Sequence, residues 1–140
     1  MSWENKILRI IRVVNSQEIG TLGRLLTAIT VVGGNIGSID LLNETTTQVV
    51  RDISVFVDDE KHLELILEAI RRKVAPAKVM VVLKANAYGH GLVEVARQVE
   101  AWGADMIGVA VLEEGLLLRE IGIRSPIVVL GGIWGSQVPL

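Results

Sequence analysis

The run KVMVVL, residues 78–83, constrains the fold of this chain most, because two different element patterns meet on it. Ahead of it, ILRIIRVV at 7–14 is rich in branched side chains and predicts a strand. After the polar break NSQEIG, Leu22, Leu25, Leu26 and Ile29 recur at helical spacing. GGN at 33–35 ends that helix, since glycine accepts the left-handed turn that closes helices. NIGSIDLLNE and QVVRDISVFV predict two strands joined by a loose hairpin over NETTTQ, with Ile53, Val55 and Val57 on one face. The acidic DDE at 58–60 marks a helix start, where carboxylates meet unpaired N–H groups. Leu63, Ile66, Leu67, Ile70 and Val74 form that helix's apolar stripe, and RRK at 71–73 sits in its last turn, as the helix dipole favours. Residues 7–73 thus read β-α-β-β-α, one strand short of a closed pattern.

KVMVVL can supply that strand and complete the ferredoxin-like order β-α-β-β-α-β. It can equally be the first strand of a second pattern. A helix with Leu92, Val95, Ala96 and Val99 on one face comes next, then the short strand MIGVAV. LEEGLLLREI then predicts a helix with Leu112, Leu116 and Leu117 inward, and PIVVL another strand. Strands alternating with helices at this spacing belong to a β/α-barrel or doubly wound sheet. The fold class expected is α/β: an α+β ferredoxin-like sheet continued by β/α units of a partial barrel. The boundary falls near VAPA, 74–77, dividing the chain into residues 1–73 and 74–140.

Half of the residues are hydrophobic and 21% are charged, which supports a filled core and excludes a disordered chain. The net charge of −2 offers no basic excess for nucleic acid or an anionic membrane. No apolar run approaches the roughly 20 residues that span a bilayer, and MSWENKILRI has no continuous apolar signal region. With no cysteine there is no disulfide framework, as in a reducing, cytoplasmic compartment. The only histidines, His62 and His90, show no metal-binding spacing, so no metal site is expected; His90 is read as a loop or cap residue. Asp40 and Asp52 lie within strands with no third group suggested, and are read as solvent-face residues. Trp102 suits a helix–sheet contact, and GGIWG a strand-end loop.

Three elements in order, NSQEIGTLGRL, GGNIGSID and VVRDISV, resemble an ACT domain, most closely the version at the front of bacterial malic enzymes. The resemblance covers roughly residues 7–73. It implies a small effector, often an amino acid, held near the first strand–helix loop at a dimer interface. Gly20 would let backbone approach the ligand, and N–H groups opening the next helix would hold its carboxylate. On this chain the resemblance points to Asn15, Gly20, Thr21 and Leu22, with Gly34 and Asn35 at the neighbouring turn. Many members carry proline before the loop glycine; here Ile19 stands there and leaves the loop less rigid.

KANAYGHG at 84–91, supported by GVAVLEEGLLLRE, resembles the start of the alanine racemase barrel, a fold-type III pyridoxal phosphate enzyme. The match covers roughly residues 74–140. It implies that Lys84, at the C-terminal end of a barrel strand where such active sites lie, carries pyridoxal 5'-phosphate as a Schiff base and serves as one of two acid/base groups. Desolvation would favour its neutral, nucleophilic form. Tyr88 matches the tyrosine whose hydroxyl contacts the cofactor phosphate, and Gly89 and Gly91 turn the loop into the next helix. A complete barrel takes typically about 250 residues. The arginine facing the pyridine nitrogen, further phosphate ligands and the partner subunit's catalytic tyrosine have no counterpart here, Tyr88 being the only tyrosine.

Three readings stand side by side. The chain is a fused or truncated protein, an ACT-like sensing module joined to a racemase cofactor-lysine segment and catalytically incomplete. Alternatively it is the front of a racemase with an N-terminal regulatory module, or an engineered or selected chimera that only folds and oligomerises. An isolated module this small buries little surface, and an open strand edge invites pairing, so a homo-oligomer, a dimer, is expected.

Overall fold

A computed structural model describes residues 5–75, 77–89 and 91–133, with Tyr88 described by its backbone alone. The fold is mixed α/β, and the chain forms two compact units, residues 1–80 and 81–140. In the first unit β1 (Ile7–Ser16), α1 (Thr21–Val31), β2 (Asn35–Glu44), β3 (Gln48–Val57) and α2 (Glu60–Lys73) lead into β4 (Lys78–Val82), within which the boundary falls. The strand order there is β2-β3-β1-β4, with β1–β3 and β2–β3 antiparallel. The order β-α-β-β-α-β is the ferredoxin-like one expected.

The β1–β3 ladder runs unbroken from Ile7↔Val57 to Ser16↔Gln48. Side chains alternate faces along a strand, so one face of this ladder collects Arg9, Ile11, Val13 and Asn15 with Val49, Arg51, Ile53, Val55 and Val57. All are buried except the half-buried Arg51, and Leu25, Ala28, Ile29, Leu63, Ile66, Leu67 and Ile70 of α1 and α2 are buried with them. The opposite face holds a row absent from the sequence expectation. Asp52 stands opposite both Arg12 and Asp40, and Arg12 grips it bidentately, Nε–Oδ1 2.7 Å and Nη2–Oδ2 2.9 Å. Asp40 and Asp52 are on the face away from the helices, as expected, Asp40 exposed and Asp52 paired there with Arg12, a partner that the sequence did not suggest.

Polar contacts fix the helices. The Asp59 carboxylate accepts the His62 N–H at 2.8 Å and caps α2, while Arg9, wholly buried on β1, pairs with Glu60 in the first turn. His62 Nδ1 accepts the Asp58 N–H at 3.1 Å, so Nε2 carries the proton and donates to Val32 O at 2.8 Å. That neutral ring ties the end of α1 to the start of α2. Gly34 has a packing reason: a Cβ there would lie 2.6 Å from Ile29 Cγ2 and 2.8 Å from Ile29 O. β2 is broken by register shifts between Ile36 and Ile39 and between Leu41 and Asn43, and it exposes Ile39, Leu41 and Leu42.

The second unit runs from the end of β4 through α3 (Lys84–Tyr88), α4 (Leu92–Ala101), β5 (Met106–Val109), α5 (Leu112–Glu120) and β6 (Ile127–Val129), in strand order β4-β5-β6 with β5 and β6 parallel. Leu92, Val95, Ala96 and Val99 are the buried stripe of α4, as the spacing predicts. The inward face of α5 differs from expectation. Gly115 and Leu118 are buried, whereas Leu116 and Leu117 are exposed and Leu112 is half-buried. Gly115 faces the sheet, its Cβ position lying at ordinary contact distance, 3.5–3.9 Å, from Ile127, Val109 and Val129; α5 thus turns Gly115 and Leu118 inward and Leu116 and Leu117 outward. Glu114 Oε2 accepts the Ala110 and Val111 N–H groups at 2.8 and 3.3 Å and sets where α5 begins. Glu100 Oε1 accepts the Arg124 and Ser125 N–H groups, both at 2.6 Å, and the Ser125 hydroxyl at 3.0 Å. These bonds, foremost the Ser125 N–H, hold the Glu100 carboxyl below its ordinary 4.5. Among the described residues no helix is long and apolar enough to cross a membrane, and no cluster of three metal-binding side chains occurs.

These contacts fix the outcome of three substitutions. Gly34→Ala loses about 1–3 kcal/mol in urea denaturation through overpacking. Gly23→Ala, in open space on an exposed turn of α1, gains about 0.5–1 kcal/mol from helix propensity. Because Glu100 is depressed in the folded state, its contribution is present above the ordinary carboxylate pKa and is lost as pH falls through the folded value. Melting curves between about pH 5 and about pH 3 should therefore show a smaller acid loss in Glu100→Gln than in the parent chain.

Candidate functional site

Two places gather chemistry. In the first unit, a cavity of about 210 Å³ is lined by Asn15 and Ser16 at the end of β1, the loop residues Gln17, Glu18 and Gly20, the start of α1 at Thr21, Leu22 and Gly23, and Arg51 of β3. Gly20 adopts φ 85°, a left-handed conformation that would strain a residue with a side chain, and Ile19 beside it is fully exposed. The Thr21 N–H donates to Glu18 O at 3.2 Å and the Arg24 N–H to Gly20 O at 3.0 Å. Leu22 and Gly23, between them, have backbone N–H groups with no acceptor among the described residues. A helix start in that state attracts anions.

Asn15 is 3% exposed. Its Nδ2 donates to Ser16 O at 2.8 Å, while its Oδ1 is a buried acceptor with no partner among the described residues. Leaving such a group unsatisfied costs about 1–3 kcal/mol. Of the residues to which the ACT resemblance points, Asn15, Gly20, Thr21 and Leu22 line this one cavity. Gly34 and Asn35 are not among its lining residues; Gly34 packs on Ile29 and Ile66, and Asn35 opens β2 opposite Phe56. Arg51 was missed by sequence reasoning, although the strand's alternation puts that cation on the inward face with Ile53 and Val55. A larger open groove of about 600 Å³ between α1 and α2 is mainly apolar, walled by Thr27, Ala28, Val31 and Ala69, with the cations Arg24, Arg72 and Lys73 also on its lining.

In the second unit, β4 ends at Val82, and Lys84 follows as an exposed residue with no ion pair or hydrogen bond among the described residues. Behind it the chain makes a turn of the opposite hand: Ala85, Asn86 and Ala87 all lie near φ 53–55°, ψ 45–50°. For L-residues this costs roughly 1–2 kcal/mol each, least for asparagine. Internal bonds hold the turn. The Ala87 N–H donates to Leu83 O at 2.9 Å, Gly89 to Ala85 O at 3.1 Å and Gly91 to Asn86 O at 3.0 Å, and the Asn86 side chain accepts the Leu92 N–H at 2.7 Å. Asn86 thus serves the start of α4, a role sequence reasoning did not assign. Gly89 and Gly91, at φ 86° and 89°, turn the loop into α4 as expected. The side chain of Tyr88 and all of His90 lie outside the described residues.

A family model for the alanine racemase N-terminal domain matches residues 59–140. The chain belongs to the alanine racemase family. Alanine racemase 2 of Bacillus subtilis is 53% identical over 66 residues, which are 46% of this chain and 17% of that protein. The alanine racemase of Haemophilus influenzae is 49% identical over 71 residues, 51% of this chain and 19% of that one. The matched stretches thus span less than a fifth of these curated relatives. Among solved structures, the ACT domain from GTP pyrophosphokinase of Chlorobium tepidum covers 54% of this chain and 97% of that domain at 23% identity and TM-score 0.47.

Alanine racemases, as the KANAYGHG resemblance implies, use pyridoxal phosphate. The described residues fit that group in one respect, the unpartnered amine of Lys84. They do not fit it in another: the loop N–H groups of Ala87, Gly89, Gly91 and Leu92 are all engaged within the turn, leaving none of these to cradle a phosphate. The turn itself is open to test. Ala85→Val should destabilise the chain by about 1–2 kcal/mol more than Ala85→Gly, measured by chemical denaturation, because only glycine enters this region without a Cβ penalty.

Proposed function

We propose that this chain joins an ACT-like small-molecule-sensing module, residues 1–73, to the cofactor-lysine segment of an alanine-racemase-like barrel, residues 74–140, and that it is catalytically incomplete as it stands. The cavity at α1 carries the sensing half of this reading: it combines a buried acceptor on Asn15, free N–H groups on Leu22 and Gly23, and the Arg51 guanidinium. An amino acid meets such a set with its ammonium on Asn15 and its carboxylate at the helix start. The resemblance assigns Lys84 and Tyr88 to pyridoxal phosphate, which when bound supplies an electron sink for a carbanion. None of these 140 residues is matched to the family's second acid/base group, their one tyrosine, Tyr88, being assigned to the phosphate. Loss of one member of such a set costs orders of magnitude in rate.

The chain acts as a homodimer in the cytoplasm, the edge strand β2 pairing with its counterpart in a second copy. β2 closes one side of the order β2-β3-β1-β4 and exposes Ile39, Leu41 and Leu42.

The test is made on the purified chain with pyridoxal phosphate. No alanine racemisation above that of the free cofactor is expected. Borohydride reduction should label Lys84 no more than the exposed Lys61, read by peptide mass mapping. Measurable turnover, or selective labelling of Lys84, would show a working cofactor site and overturn catalytic incompleteness or cofactor idleness respectively.

A further inference from the structure

The sensing cavity is lined by a guanidinium, Arg51, that the single carboxylate of a simple amino acid, held at the helix start, would not reach. We propose that it selects a small ligand with two anionic groups and one N–H donor, an acidic amino acid, and that Arg51 is the residue that sets this preference. The proposal rests on the sensing reading above and names the class of ligand.

The sheet shows why Arg51 stands out. Arg9 and Arg12 of β1 are each paired with a carboxylate, Glu60 and Asp52. Arg51 lies on the helix-facing side of β3, opposite Val13 on one flank and Leu41 on the other, and so has apolar cross-strand neighbours. It has no ion pair or hydrogen bond among the described residues, yet it lines the cavity. A half-buried guanidinium offers a planar fork that matches a carboxylate.

A second anion position is separate from it. α1 has eleven residues and no acidic side chain in its first turn to answer its N-terminal dipole. Leu22 and Gly23 keep free N–H groups there. Arg24 folds back so that its Nη2 donates to Thr21 Oγ1 at 3.1 Å, adding positive charge beside the same N–H groups. Glu18, the one carboxylate on the cavity's lining, is exposed on the loop. Asn15 is the third point. It is almost wholly buried, it lines the cavity, and its Oδ1 lacks a donor among the described residues. Asn15 and Arg51 are near neighbours on one face, because Asn15 pairs with Val49, two residues from Arg51.

The three points ask for a carboxylate at the helix start, an ammonium at Asn15 and a second anion at Arg51. A monocarboxylic amino acid meets the first two and leaves Arg51 unanswered. A volume of about 210 Å³ has room for a four- or five-carbon acid.

Isothermal titration of the full chain with L-aspartate, L-alanine, succinate and inorganic phosphate tests this. L-aspartate should bind at least about tenfold more tightly than L-alanine, the effect of one charge-assisted pair. Succinate and phosphate, which bring no ammonium, should bind more weakly than L-aspartate. Arg51→Gln should bring L-aspartate to within about twofold of L-alanine, and Arg51→Lys, which keeps the charge but not the planar fork, should fall between Arg51→Gln and the parent chain. Far-UV circular dichroism and melting temperature confirm that each variant is folded. Equal affinity for L-alanine and L-aspartate, or an undiminished preference in folded Arg51→Gln, overturns the role of Arg51 while leaving a working amino-acid site. A folded parent chain that binds none of the four overturns the sensing reading together with it.

Discussion

The unbroken pairing of β1 with β3 is the constraint on which the first unit depends. A slip of one residue would turn every side chain of a strand to the other face. With Ile7 opposite Val57 and Ser16 opposite Gln48, one face receives an apolar centre of Ile11, Val13, Ile53 and Val55, with a polar group at each end. At one end Arg9 meets Glu60 and orients α2; at the other Asn15 and Arg51 meet the start of α1. The end near α2 is neutralised within the protein. The end near α1 is left with an unpaired cation and an unpaired acceptor among the described residues. The same ladder thus builds a structural pair and a candidate binding site from the two ends of one row.

Much of this was legible in the sequence, for identifiable reasons. The bounds of β2 and β3 and the stripes of α2 and α4 follow from runs of branched or aliphatic residues at clean spacing, interrupted by glycine or acidic caps. The cavity members Asn15, Gly20, Thr21 and Leu22 are those to which the ACT resemblance points. Where several spacings compete, the reading failed. Leu116, Leu117 and Leu118 in succession give no preferred face, and only the packing of α5 on the sheet, with Gly115 and Leu118 inward, selects one. Arg12 and Asp52 are far apart in sequence, so their union needs the register. Lys84 was expected to close its strand, but the chain leaves the sheet two residues earlier.

The family match and the compact units divide the chain at different points. The alanine racemase match begins at residue 59, the cap of α2, yet α2 lies wholly within the first unit, where His62 bonds to the end of α1. One helix therefore satisfies two demands. Its apolar stripe of Leu63, Ile66, Leu67 and Ile70 is compatible with either setting, because a helix buried along one stripe needs only an aliphatic surface opposite. The groups that tie it to this unit are polar ones, Arg9, Asp59 and His62, and these make the contact specific.

The left-handed turn after Lys84 has a stereochemical consequence. Ala85, Asn86 and Ala87 occupy backbone angles that are the mirror image of an ordinary helix. At the exposed Ala85, a D-alanine introduced by chemical synthesis would stand in its own favoured conformation, whereas the natural L-alanine stands in a disfavoured one. The backbone of this chain is thus locally better suited to the opposite enantiomer of one of its own residues. Among the proteinogenic residues only achiral glycine could relieve the same strain, at the cost of a more flexible unfolded chain.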